Sequence, residues 1–151
     1  MQAMLSQMVQ EEFGKCHGPP SAPGTGKSKR ELMDMARANG ELAAKQPLSL
    51  AGMLWFRNQV RNGGPWDYKQ IHSGYQDFGN YNYGYAGTAI GISGGLLLRQ
   101  AGRAQIAAGT SMPEWGNPGL FGVIGGKAPF GDDPLDQMMI SHGISDRADG
   151  C

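Results

Sequence analysis

Glycine constrains this chain more than any other residue. It fills 25 of the 151 positions, more than twice its usual share of roughly 7%. Glycine weakens the interior of helices and strands alike and favours turns, so the composition predicts short helices joined by many turns. No stretch alternates apolar and polar residues with period two, and apolar residues recur instead at spacings of three and four. The expected fold is therefore mainly α: a compact single helical domain with long glycine-rich loops and a flexible N-terminal segment. A chain of this length can bury one real core but not two.

Charge narrows the function classes. Lys plus Arg and Asp plus Glu number 13 each, so there is no net attraction for nucleic acid or for an anionic membrane. No apolar run approaches the roughly 20 residues that span a bilayer; the longest candidate, AIGISGGLLL, is broken by glycines. The N-terminal MQAMLSQMVQEEFGKC lacks a basic region before an apolar core. The expectation is a chain made in the cytosol, or exported without a cleavable leader. Cys16 and Cys151 lie near opposite ends and can pair in an oxidising compartment.

Periodicity predicts a helix over 1–13, then the linker-like GKCHGPPSAPGTGKSK, rich in Pro, Gly, Ser and Lys. Helices follow over 29–45, with Leu32, Met35, Leu42, Ala36 and Ala43 inward, and over 49–61, carrying Leu50, Met53, Leu54, Phe56 and Val60. A glycine- and tyrosine-rich loop is expected over 73–87. Helical stretches come next at 85–92 and 93–108, then a loop over 109–131. The last helix begins at DDPLDQMMISHG, with Asp133 as N-cap and Pro134 as its first residue.

Several motifs can carry chemistry. SAPGTGKS at 21–28 imitates a phosphate-binding loop, but Ser21 replaces the first glycine and CHGPP cannot be the buried strand before it. NGGPWDYK fixes a sharp turn followed by Trp66, Asp67, Tyr68 and Lys69. Trp66 can anchor that turn. Asp67 can cap the next segment and Lys69 can be solvated, or the two can act as acid/base and charge stabiliser. GNYNYGYAG, residues 79–87, sets Asn80, Tyr81, Asn82, Tyr83 and Tyr85 among glycines, which suits a polar ligand with rings. FGDDPLDQMM supplies Asp132, Asp133 and Asp136, too few alone for a divalent cation. His17, His72 and His142 have no metal-ligand spacing, and no pattern requires a cofactor. GISGG at 91–95 is better explained by Ser93 as an N-cap than as a nucleophile turn.

Taken in order, FRNQVRNGGPWDYK, GNYNYGYAGTAIGIS with LLLRQAGRAQ, and DDPLDQMMISHGI resemble the bacterial polymorphic toxin type 44 domain over roughly residues 30–146. Such domains are C-terminal effector modules of secreted Rhs-, PAAR-, VgrG- or other delivery proteins. The resemblance implies an antibacterial toxin of interbacterial competition, of the kind carried by type VI secretion and neutralised by a cognate immunity protein. It implies that residues 1–28 join a delivery module and that 29–151 form the effector. It places Asp67, Lys69, Asn80, Tyr83, Asp132 and Asp136 at the centre, with Glu31 or Asp34 supplying an acidic residue from the first long helix.

The expected activity is hydrolysis of peptidoglycan glycan strands in the target periplasm. That chemistry needs two carboxylates, one of them protonated by its surroundings. Glu31 as acid and Asp67 as base or nucleophile meet the need, with Lys69 and Asp34 beside them. Trp66, Asn80, Tyr81, Asn82, Tyr83, Asp132 and Asp136 would bind the substrate. The alternative is a metal-independent ribonuclease built on Lys69, Asp67 and Tyr83, and a third reading is a non-enzymatic binding toxin. Neither DNA binding nor membrane insertion is expected.

Overall fold

The computed structural model describes residues 16–151; the helix expected over 1–13 lies outside them. Among the described residues 60% are helical, and there are six α-helices and no strands. These are α1 (Lys29–Ala44), α2 (Leu50–Val60), α3 (Tyr68–Ile71), α4 (Gln76–Ile90), α5 (Gly94–Ala107) and α6 (Pro134–Ala148). Isolated bridges pair Asn117 with Lys127 and Leu120 with Ile124 inside the 109–131 loop.

The caps are where the residues put them. Ser28 accepts the Glu31 N–H, Ser49 that of Gly52, Ser93 that of Leu96, and Asp133 that of Leu135. Each satisfies a backbone donor that the first turn leaves unpaired. Gly91, in the left-handed region at φ 104°, ends α4.

The loop expected over 73–87 is instead a 3₁₀ turn at Ser73–Tyr75 followed by the long helix α4. Its glycines, which argue for a turn when read one by one, are close-packing positions. A Cβ on Gly84 would collide with the carbonyl oxygen of Ile140 in α6, and one on Gly143 with that of Tyr81 in α4. The missing side chains let α4 and α6 cross backbone to backbone. Gly40 of α1 likewise leaves room for the Tyr85 ring.

α4 is the hub of the core. Phe78, Tyr81, Tyr85, Ala86 and Ile90 form one buried cluster with Leu32, Met33 and Ala36 of α1, and Ile140 of α6 is also fully buried. The buried stripe of α1 runs Leu32, Met33, Ala36, Asn39, Gly40, Ala43. Met33 is therefore inward, whereas Leu42 is exposed, because the stripe follows the polar Asn39 and the bare Gly40 rather than the apolar residues alone. α2 buries only Gly52 and Phe56, leaving Leu50, Met53 and Leu54 exposed.

Residues 16–28 are laid along the body of the domain. Gly18, Pro19 and Ala22 are buried, and Gly74 leaves room for the Pro23 carbonyl. Cys16 and Cys151 form a disulfide with Cα atoms 6.1 Å apart, across 135 residues of sequence.

Candidate functional site

The carboxylates gather where α3, the start of α4 and the start of α6 meet. Asp133 caps α6 and Asp136 lies in its first turn, as Asp77 does in α4. Asp132, only 3% exposed, is fixed from two sides: Gln137 Nε2 donates to it at 2.8 Å and the Asp133 N–H at 2.9 Å. Gln137 also donates to the Leu98 carbonyl at 3.1 Å, tying the cluster to α5.

Electrostatics single out Asp136. Burial first, then the charges of Asp132, Asp133 and Asp77, push its carboxyl up to about 6 against the opposing pull of Lys69. A helix N-terminus favours the ionised form by about 0.3–1 kcal/mol, so desolvation and like charge outweigh it here. Asp132 is raised too, chiefly by burial, with its hydrogen bonds from Gln137 and Asp133 opposing. A carboxyl that holds its proton near neutral pH beside others is the arrangement that acid/base catalysis requires.

Lys69, on α3, is exposed and is the cation felt by Asp136. Asn80 is half-buried one turn beyond Asp77, its side chain donating to the Gln76 carbonyl at 3.3 Å. Lys69, Asn80, Asp132 and Asp136 thus belong to this region.

Of the other expected site residues, Tyr83 alone lies within reach of a cluster carboxylate, that of Asp132. Asp67 is buried and accepts the Gly63 N–H at 2.9 Å, closing the NGGPWD turn. Trp66 is buried edge-on to Trp55 at 5.5 Å, in the anchoring role. Tyr83 donates its hydroxyl to the Leu97 carbonyl at 2.7 Å and stacks on Phe56; burial raises its pKa, with Asp132 adding to the effect. Tyr81 and Asn82 face the core. Asn39 donates to the Tyr68 hydroxyl at 2.7 Å and to the Asn82 side-chain oxygen at 3.0 Å, joining α1, α3 and α4. Glu31 is exposed and pairs with Lys27 at 3.8 Å, and Asp34 is exposed. Asn39, rather than either acid, is the α1 residue that meets Tyr68, and Glu31 lies about 12 Å back along the axis.

Two functional-looking groups escaped the sequence reading. Asp77 becomes visible once 76–90 is a helix, since it then precedes Asn80 by one turn on the same face. Asp146 is fully buried and accepts from the Tyr81 hydroxyl at 2.6 Å and from the His17 and Gly18 N–H groups at 2.7 and 2.8 Å. Among the described residues, one group of three possible metal ligands comes within 4.8 Å, namely Cys16, Asp146 and Cys151. Its sulfurs are bonded to each other and its carboxylate already takes three donors, so here it closes the chain ends. Beside it, His17 stacks on His142 at 3.9 Å, and a cavity of about 390 Å³ is lined by both histidines, Ser21, Lys27 and Lys29.

The fold thus combines a carboxylate cluster with an N-terminal strap clasped by a disulfide. The chain belongs to the bacterial toxin 44 family, whose model matches residues 68–148. That stretch holds Lys69, Asp77, Asn80, Asp132 and Asp136, and begins just after Asp67. No curated protein and no solved structure matches the chain. Among the described residues, no helix is long and apolar enough to cross a membrane.

Proposed function

We propose that this bacterial toxin domain hydrolyses the glycan strands of peptidoglycan in the periplasm of a target bacterium. The observation that carries the reading is the Asp136 carboxyl, held up to about 6 among Asp77, Asp132 and Asp133. Asp136, protonated, donates to the leaving glycosidic oxygen. Asp77 acts from the facing helix as base or nucleophile, and Lys69 offsets charge during the reaction. Asp132 is a positioning residue whose charge keeps the proton on Asp136, and Asn80 hydrogen-bonds the sugar. Asp136 thus takes the role that the residue pattern alone gave to Glu31.

Substrate charge supports a glycan. Four carboxylates around one ammonium repel a phosphodiester but accept a neutral sugar chain. The disulfide supports an oxidising working compartment, since such bonds are rare in a reducing cytosol. Delivery by an Rhs-, PAAR- or VgrG-type carrier joined through residues 1–28, and neutralisation by a cognate immunity protein, complete the proposal.

A second reading, a ribonuclease acting in the cytosol, draws on the cavity lined by His17, His142, Lys27 and Lys29. Two imidazoles and two ammonium groups suit phosphate chemistry. The purified chain, incubated separately with peptidoglycan sacculi and with RNA, distinguishes the two. New reducing ends from sacculi, lost in Asp136→Asn and kept in Glu31→Gln, support the glycan reading. RNA cleavage with intact sacculi overturns it, and toxicity only when expression is directed to the periplasm gives an independent check.

A further inference from the structure

The loop between α5 and α6 presents a cluster of apolar side chains to solvent. Leu120 is 62% exposed, Phe121 73%, Val123 57% and Ile124 66%. They occupy the tip of a small hairpin closed by the Leu120–Ile124 and Asn117–Lys127 bridges. Single exposed apolar residues are ordinary, whereas a contiguous cluster marks an interaction surface.

The tip is built, not loose. Side chains of α5 reach across and bind its backbone carbonyls: Arg99 donates to Gly125 at 2.8 Å, Gln100 to Gly122 at 2.7 Å, and Arg103 to Phe121 at 3.1 Å. With its carbonyl groups turned toward α5, the hairpin directs its apolar side chains away from the domain. Phe121 also adopts φ 54°, in the left-handed region that bulky side chains avoid. Among the described residues the other such non-glycine residue, Phe130 at φ 66°, has the Arg99 guanidinium 4.6 Å over its ring. Phe121 combines backbone strain with solvent exposure, and such outliers gather at functional positions.

Charge identifies the occupant. Arg99 and Arg103 stand behind the tip on α5, and exposed Lys127 closes its base. A projecting apolar tip with exposed Lys127 at its base and two arginines behind it matches the interface of an anionic bilayer, where apolar side chains enter the acyl boundary and cations meet headgroups. We propose that the Leu120–Ile124 tip docks this domain on the surface of anionic phospholipid membranes without spanning them. This inference does not depend on the glycan reading, since it concerns a surface outside the carboxylate cluster.

Sedimentation of the full, oxidised chain with lipid vesicles tests it. The chain should pellet with vesicles enriched in phosphatidylglycerol, less with pure phosphatidylcholine, and less as salt is raised. Phe121→Gly removes the ring while suiting the left-handed backbone, so the fold survives, and it should lower partitioning about tenfold. Lys127→Glu should weaken binding to the anionic vesicles alone. Failure to pellet with anionic vesicles, or unchanged partitioning of Phe121→Gly with an unchanged melting temperature, overturns the proposal. So does a dimer on gel filtration that Phe121→Gly abolishes, which would assign the tip to a second copy.

Discussion

Gly143 of α6 lies directly against the backbone carbonyl of Tyr81 in α4, and Gly84 of α4 lies against that of Ile140 in α6. The two helices exchange close approaches at one crossing. Tyr81 can therefore enter the core and reach Asp146, while Asp77 and Asp136 are brought together at the helix starts. The crossing is the structural condition for the carboxylate cluster.

Replacing Gly84 or Gly143 by alanine sets two effects against each other. Alanine gains about 1 kcal/mol of helix propensity over glycine. A Cβ at either position would strike backbone, which cannot turn aside, and overpacking of this kind costs about 1–3 kcal/mol or more. Both variants should lose stability in urea denaturation. Gly79→Ala is the counter-case, because its nearest new neighbour is the Tyr68 Cβ at 3.9 Å, and it should gain about 0.5–1 kcal/mol. Equal midpoints for Gly79→Ala and Gly84→Ala would refute the close-packing account.

Asp136 gives a pH dependence of definite sign. The folded state holds its proton up to about 6, against an ordinary value of 3.8. The stabilising contribution is full below the ordinary value and is lost as pH rises through about 6. Asp136→Asn should therefore be more stable than the parent at pH 7 and lose that advantage by pH 4, while abolishing activity. Parent activity should fall on the alkaline side of about 6 as the acid ionises. Thermal melts at the two pH values check the first part, and a parent more stable than the variant at pH 7 would contradict it.

The helical class, the Ser93 and Asp133 caps and the proline start of α6 were legible because they depend on neighbours in sequence. The nature of 79–87 was not. Glycine, asparagine and tyrosine argue locally for a loop, and only Ile140 and Gly143, some sixty residues away, make glycine a packing residue there. Asn80 consequently follows Asp77 by one turn, while the Tyr83 hydroxyl is bonded to Leu97 within reach of the Asp132 charge. Asp136 could be named as a candidate, but its raised pKa could not be read. That property comes from burial and from Asp77, whose position depends on the same crossing.

The Cys16–Cys151 disulfide should dominate the response to reductant. It closes 135 residues, and the loss of chain entropy in the unfolded state implies a contribution of at most about 5 kcal/mol. The clasp has further holds: Arg37 donates to the Cys151 carbonyl at 3.0 Å, and Asp146 accepts from His17 and Gly18. Reduction, or the double change Cys16→Ser with Cys151→Ser, should lower stability by about 2–5 kcal/mol. Unfolding midpoints that ignore reductant would exclude the clasp.

Acid should loosen the same region. Burial and the neighbouring His17 lower the pKa of His142, with Asp146 opposing. The folded state resists protonating His142, so this contribution is present above its ordinary value of 6.5 and is lost as pH falls below it. His142→Gln should flatten that part of the stability profile. An unchanged slope between pH 7 and pH 5 in the variant would assign the acid response elsewhere.

Tyr81 and Tyr83 are two positions apart, and their hydroxyls have different acceptors. The Tyr81 hydroxyl supplies one of three donors to the fully buried carboxylate of Asp146, at 2.6 Å. The Tyr83 hydroxyl meets the Leu97 carbonyl of α5, a neutral acceptor. Hydrogen bonds to charged groups contribute about 1.5–3 kcal/mol and neutral ones about 0.5–1.5. Tyr81→Phe should therefore cost about twice as much stability as Tyr83→Phe. In Asp146→Asn the penalty for Tyr81→Phe should shrink, because the charge that strengthens the bond is gone. A double-mutant cycle by urea denaturation measures that coupling directly. A coupling energy of zero between Tyr81 and Asp146 would show that their hydrogen bond does not hold α4 to α6.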